Sequence, residues 1–126
     1  MAAKIERLAG KGVFDPPAYT QTMKVTGAET ILFISGQVAY DGKGQPAHPG
    51  DFAAQARATY AALKAQVEAG GGTLSNIVKL TTFLVDIRHR NELASIREEF
   101  FGKKGPASTA LAQPGWLIEV EAIAVI

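Results

Sequence analysis

The last ten residues, Leu117 to Ile126, constrain the fold more than any other stretch, because they read as a strand that is apolar on one side and carries two acids on the other. Side chains alternate across a strand. Ile118, Val120, Ala122, Ala124 and Ile126 therefore share a wholly apolar face, and Leu117, Glu119, Glu121, Ile123 and Val125 share the opposite one. The first face has to be covered by other elements. Carboxylates set into an apolar row are uncommon unless they are paired, hydrogen-bonded or used for proton transfer, so the second face lines or borders a polar cleft.

The preceding chain supplies the cover. Thr20 to Thr26 and Thr30 to Ser35, joined by Gly27-Ala-Glu29, predict a β-hairpin, with Ile31 to Ile34 as a central strand. Asp41 to Gly50 is too rich in glycine and proline for a regular element and reads as an exposed loop. A helix follows: Asp51 suits its first turn, Phe52, Ala56, Tyr60, Leu63 and Val67 recur at helical spacing, and Gly70-Gly-Gly72 ends it. Ile77 to Val85 is β-branched and apolar enough for another interior strand. Asn91 to Phe101 carries Leu93, Ile96 and Phe100 on one helical stripe and stops at Gly102. After Lys103-Lys-Gly-Pro106 come strands at Ser108 to Ala112 and Leu117 to Val125, joined by Gln113-Pro-Gly115. This order predicts a sheet accompanied by two helices, in a single domain spanning residues 1–126.

Composition excludes several functions. Thirteen basic against twelve acidic residues leave a formal charge of +1, with no basic run and no interleaved aromatics, so the footprint of a nucleic-acid binder is missing. There is no cysteine, which removes disulfides, thiolate chemistry and cysteine-ligated zinc. His48 and His89 stand far apart in turn-like settings and are expected at the surface. The N-terminal residues lack the apolar stretch of a secretion signal, and no segment approaches the roughly 20 apolar residues that span a bilayer. The expected location is the cytoplasm, with no membrane partner.

Two helices cover only one face of such a sheet, yet the strands at Ile31 to Ile34, Ile77 to Val85 and Leu117 to Val125 are apolar on both. With no chain left to form a second layer, the economical cover is a further copy of the same chain, in a closed homo-oligomer.

Several short motifs fall in one order along the chain: Tyr19-Thr-Gln21, Phe33-Ile-Ser-Gly-Gln37, Ala53-Ala-Gln55, Val78-Lys-Leu-Thr-Thr82, Phe100-Phe101, Pro106-Ala107 and Glu119-Val-Glu-Ala-Ile-Ala124. In that order and spacing the sequence resembles the reactive intermediate deaminase (RidA/YjgF) family from about Tyr19 to the end. The resemblance implies a chorismate-mutase-like α+β fold, a mixed β-sheet with two helices packed on one face, assembled as a homotrimer with clefts between subunits. It also implies hydrolysis of enamines and imines to 2-oxo acids and ammonia without metal or cofactor. Such chemistry needs a held substrate, a positioned water and one well-placed acid or base. By resemblance, Glu121 is the catalytic acid, and Tyr19 with Ser35 and Gly36 completes the cleft.

The sequence departs from the family pattern where an arginine follows Pro-Ala to grip the substrate carboxylate: Ser108 stands there. Serine has neither charge nor reach, and a lost charge-assisted contact removes on the order of 1.5–3 kcal/mol of binding. Ala110 and Ala94 replace a cysteine and an asparagine common in the family. The chain thus reads as an arginine-lacking branch, acting on a small metabolite other than the usual 2-imino acids, with Ser108 and Thr109 contacting it. The alternatives are a non-catalytic binding or regulatory trimer and, as a minor one, an endoribonuclease-like activity. Glu119 is expected to be structural, and Tyr19 and Trp116 have packing readings beside their cleft readings. Arg88, Arg90, Arg97, Lys103 and Lys104 lie near the altered motif, and sequence alone aims none of them into the cleft.

Overall fold

A computed structural model describes residues 3–111 and 116–126, and the side chains of all of these except Leu111 and Glu121. The Gln113-Pro-Gly115 link and the end of the predicted strand at Ala112 lie outside the described residues. The elements in chain order are β1 (Lys4–Leu8), β2 (Thr22–Thr26), β3 (Ile31–Gln37), α1 (Phe52–Ala69), β4 (Ile77–Leu84), α2 (Arg90–Phe101), β5 (Ala107–Leu111) and β6 (Ile118–Val125).

Four strands form a mixed sheet in the order β3-β6-β4-β5, parallel between β4 and β5 and antiparallel elsewhere. The apolar face of β6 carries the core: Ile118, Val120, Ala122 and Ala124 are at most 3% exposed. They meet Phe52, Ala56, Tyr60, Leu63 and Val67 of α1 and Leu93 and Ile96 of α2, so the periodicity read from the sequence is the periodicity that is buried. Asp51 caps α1, its carboxylate accepting from the Ala54 amide at 3.1 Å, and Gly70 ends the helix. Gly102 closes α2 at φ 75°, a left-handed conformation that glycine takes without penalty. Arg57 of α1 and Glu99 of α2 form a two-pronged pair at 2.8 and 3.0 Å on the outer surface. No helix among the described residues is long and apolar enough to cross a membrane.

The hairpin expected around Gly27 is corrected. Gly27 does turn the chain, with φ 73°, but Glu29 and Thr30 then hydrogen-bond to the Ile126 carbonyl, and Ile126 returns its amide to Thr30. The chain is captured by its own C-terminus, so β3 pairs with β6, and β2 pairs instead with β1 in a separate antiparallel ribbon. β3 is accordingly not central; among the described residues it is an edge of the four-stranded sheet. β1 escaped the sequence reading because Lys4, Glu6 and Arg7 hide its short apolar alternation. His89 is not a free surface residue either. Its ring stacks on Phe52 with centroids 4.3 Å apart, which fixes the start of α2 against the start of α1.

Candidate functional site

The candidate residues fall on two sides of the sheet. On the face away from the helices, β3 bulges at Ser35-Gly36: Ile34 pairs with Ala122 and Gln37 with Val120, so three steps along β3 are matched by two along β6. A bulge releases backbone groups from the ladder and bends the strand, a common device at ligand sites. Glu119 extends over this point. A Cβ added at residue 36 would fall on its carboxylate, so the carboxylate rests against bare backbone here and would have to swing aside for any larger residue. Glu121 is placed by its backbone opposite Thr81 in the β4–β6 ladder, in line with the bulge; its side chain is outside the described set. Beside these groups lies an open hollow lined by Phe33, Ser35, Lys79, Thr81 and Ile123.

The second group gathers at the β5 edge of the sheet. A cleft of about 400 Å³ is lined by Tyr19, Ser108, Thr109 and Ala110, and by Arg90, Asn91, Ala94 and Arg97 from α2. Tyr19 is held there by its neighbours. The Gly105 amide donates to the Ala18 carbonyl at 3.0 Å, and the Thr20 hydroxyl donates to the Gly105 carbonyl at 2.8 Å. Arg7 adds bonds to the Thr20 hydroxyl at 2.6 Å and the Gly105 carbonyl at 2.8 Å. Lys104 ties the preceding turn down through Asp15 and the Pro16 carbonyl. Residues 15–20 are thus clamped to the root of β5. Ser108 stands opposite Leu80, which is buried under the helices, so it points to the helix side. Thr109 accepts from the Lys79 ammonium at 2.8 Å, linking the cleft to the hollow on the other face.

Several residues near the altered motif can now be sorted. Arg88 is committed to Asp86 through bonds of 2.7 to 3.0 Å; these, with the Arg88 backbone N–H, hold the Asp86 carboxyl down at about 2. Lys104 is committed to Asp15. Arg90 and Arg97 line the cleft instead, and Arg97 has a neighbour in Tyr60, whose phenol is pushed up by burial and partly brought back by the Arg97 charge. The Tyr60 hydroxyl and the Trp116 indole N–H have no hydrogen-bond partner among the described residues. Trp116 packs edge-on against Tyr40, with centroids 6.3 Å apart, and is absent from the cleft lining. Sequence reasoning left Arg90 and Arg97 unassigned. The signal was present, since Arg90, Ala94 and Arg97 recur at i, i+4 and i+7 and so share one helical face.

The mixed sheet, the two helices on one face and the bulged strand facing the Glu119 carboxylate define a chorismate-mutase-like α+β protein. The family model described as Endoribonuclease L-PSP matches residues 15–126. A RutC family protein of Pyrococcus horikoshii is 34% identical over 110 residues, which are 84% of this chain and 85% of that protein. RidA from the Antarctic bacterium Psychrobacter sp. PAMC 21119 superimposes with a TM-score of 0.70 at 27% identity, over 95% of this chain and 94% of its own. A Rid family protein of Yersinia pestis, YyfB, superimposes over 100% of both chains with a TM-score of 0.79; at 24% identity this is a likeness of fold alone. The chain belongs to the RidA/YjgF family.

Proposed function

We propose that this protein is a cytoplasmic homotrimer that hydrolyses a small imine or enamine without metal or cofactor, in clefts closed between subunits. The observation that carries the reading is the seat of the Glu119 carboxylate against Gly36, beside the Ser35-Gly36 bulge, in a chain of this family. The trimer supplies what one subunit lacks. Tyr19 and Ser108 border the helix side of the sheet, whereas Ser35, Gly36 and the backbone of Glu121 belong to the opposite face, where the Thr109 hydroxyl meets Lys79. Packing the β5 edge of one copy over the open face of the next brings the two groups into one enclosure.

The position of Glu119 supports giving it the proton-transfer role that the sequence reading gave to Glu121. In the proposed reaction the carboxylate takes a proton from a water as the water oxygen bonds to the imine carbon. The proton is passed to the nitrogen, giving a carbinolamine; the carboxylate then carries the new hydroxyl's proton to the amine, the C–N bond breaks, and ammonia leaves as the carbonyl forms. The Ser35-Gly36 bulge offers backbone groups to hold the water or the nitrogen, and Tyr19, Ser108 and Thr109 contact the substrate. Ser108 carries no charge, so any anionic group on the substrate has to be met elsewhere in the cleft.

The test is ammonia release from imines generated in situ. Glu119→Gln should lower the rate on the order of 100-fold, the usual scale for a positioned acid or base, and Glu121→Gln should lower it far less. Equal losses in the two variants would return the role to the pair. No acceleration by the wild-type protein over spontaneous hydrolysis would leave a ligand-binding trimer in place of an enzyme.

A further inference from the structure

We infer that the cleft at the β5 edge recognises an oxyanion group on its ligand, gripped by Arg97 with Arg90 beside it, so that the cation comes from α2 and not from the strand. The inference rests on the reading of this cleft as the ligand site, and names what that ligand must carry. Its lining holds two guanidiniums, the hydroxyl-bearing Tyr19 and Ser108 and the amide-bearing Asn91, with no carboxylate among the described lining residues. Such a set donates hydrogen bonds from a positively charged wall, the chemistry that fits a carboxylate or phosphate oxygen.

Arg97 has the more telling surroundings. Its side chain is half-buried and makes no hydrogen bond or ion pair among the described residues, in contrast to Arg7, Arg57 and Arg88, each of which is engaged. A half-buried guanidinium loses hydration and needs a compensating partner, and its fixed fork suits a planar carboxylate. Its Nε lies 3.9 Å from the place a Cβ would occupy on Gly105, at the root of the strand that carries Ser108. A ligand between Tyr19 and Ser108 therefore has the guanidinium within reach. Arg90 stands two turns back on the same helical face, in the first turn of α2.

Direct binding, with no turnover, separates this inference from the proposed reaction. Pyruvate and inorganic phosphate are the two probes, followed by calorimetry and by the Nε–Hε signals of the arginines in NMR spectra, with neutral pyruvamide as the control. We expect at least one anion to bind and to shift the Arg97 signal. Arg97→Met, which keeps the apolar stem, should weaken that binding about tenfold or more while thermal unfolding shifts little. Arg97→Lys should recover part of it, and the preferred anion identifies the chemistry of the oxyanion. A second variant, Ser108→Asp, keeps both arginines but supplies a carboxylate of the protein's own, and should abolish anion binding. The inference is overturned if neither anion binds, if pyruvamide binds as well as pyruvate, or if Arg97→Met and Ser108→Asp leave the affinity unchanged. Anion binding that persists in a protein releasing no ammonia would uphold the site and remove the reaction.

Discussion

Gln55 shows how a side chain buried in an apolar core holds a site together from a distance. It is 1% exposed on α1, and its amide donates to the Ala47 carbonyl at 2.8 Å while its oxygen accepts from the Leu117 amide at 3.0 Å. It therefore pins the long loop before α1 to the start of β6, the strand that delivers Glu119. Gln55→Leu preserves the volume but strands both backbone groups, and should destabilise the fold by about 2 kcal/mol. The check is urea unfolding, where the midpoint should fall with the slope unchanged; an unaltered midpoint would mean that water replaces the lost bonds. At this scale the sequence was only partly legible. Tyr19, Ser108 and Thr109 do line one cleft, yet alternation puts Glu119 and Glu121 on the same face without separating them, and the seat of the Glu119 carboxylate against Gly36 is a matter of side-chain placement that the sequence does not carry. Arg97 was visible as a residue but not as a direction, because α2 had to be docked before its outer face could be known.

Among the elements, those with a long period were read almost to the residue. α1 runs from Phe52, as the apolar spacing and Asp51 predicted, and α2 starts at Arg90, one residue before the expected Asn91. Short strands were harder, since β1 and the β2 pairing are decided by where the C-terminal residue Ile126 docks, a contact between distant parts of the chain. The entry to α2 offers a test by pH. Asp86 caps the 3-10 turn Ile87–His89 ahead of the helix, accepting from the Arg88 amide at 2.9 Å and from its guanidinium at 2.7 to 3.0 Å. These bonds depress the folded-state pKa to about 2 from an ordinary 3.8. A depressed carboxyl stabilises the folded state above its unfolded value, and that contribution is lost as pH falls through the folded one. The cap should therefore hold down to about pH 4 and fail progressively towards about pH 2. Carboxyl-carbon NMR should give Asp86 a midpoint near 2, and Arg88→Ala should move it upward. A wild-type midpoint at the ordinary value would show that the pair does not persist in solution.

For the molecule as a whole, the open sheet face is the feature that sequence and structure share. The strands carry apolar residues on both sides, and only one side is under helices. Phe33 is 80% exposed and Ile31 55%, with Ile123 and Thr81 nearby in the same hollow. An exposed phenylalanine at the centre of a strand gains about 1.5–3 kcal/mol when it is covered, and a closed ring of three copies gains that at every seam. A charge at the same position reverses the sign, because each seam would then have to desolvate a carboxylate. Phe33→Glu should therefore break the assembly while leaving the subunit folded, since its side chain contributes nothing to the core beneath α1 and α2. Light scattering should read three chains for the wild-type protein and one for the variant, with an unchanged helical circular dichroism signal. Because the Ser35-Gly36 bulge and the Tyr19 cleft lie on different sides of one subunit, the monomeric variant should also lose ammonia release, and anion binding at Arg97 should survive in it. A wild-type protein that is monomeric at all concentrations, or a variant that stays trimeric, would mean that something other than this face closes the site.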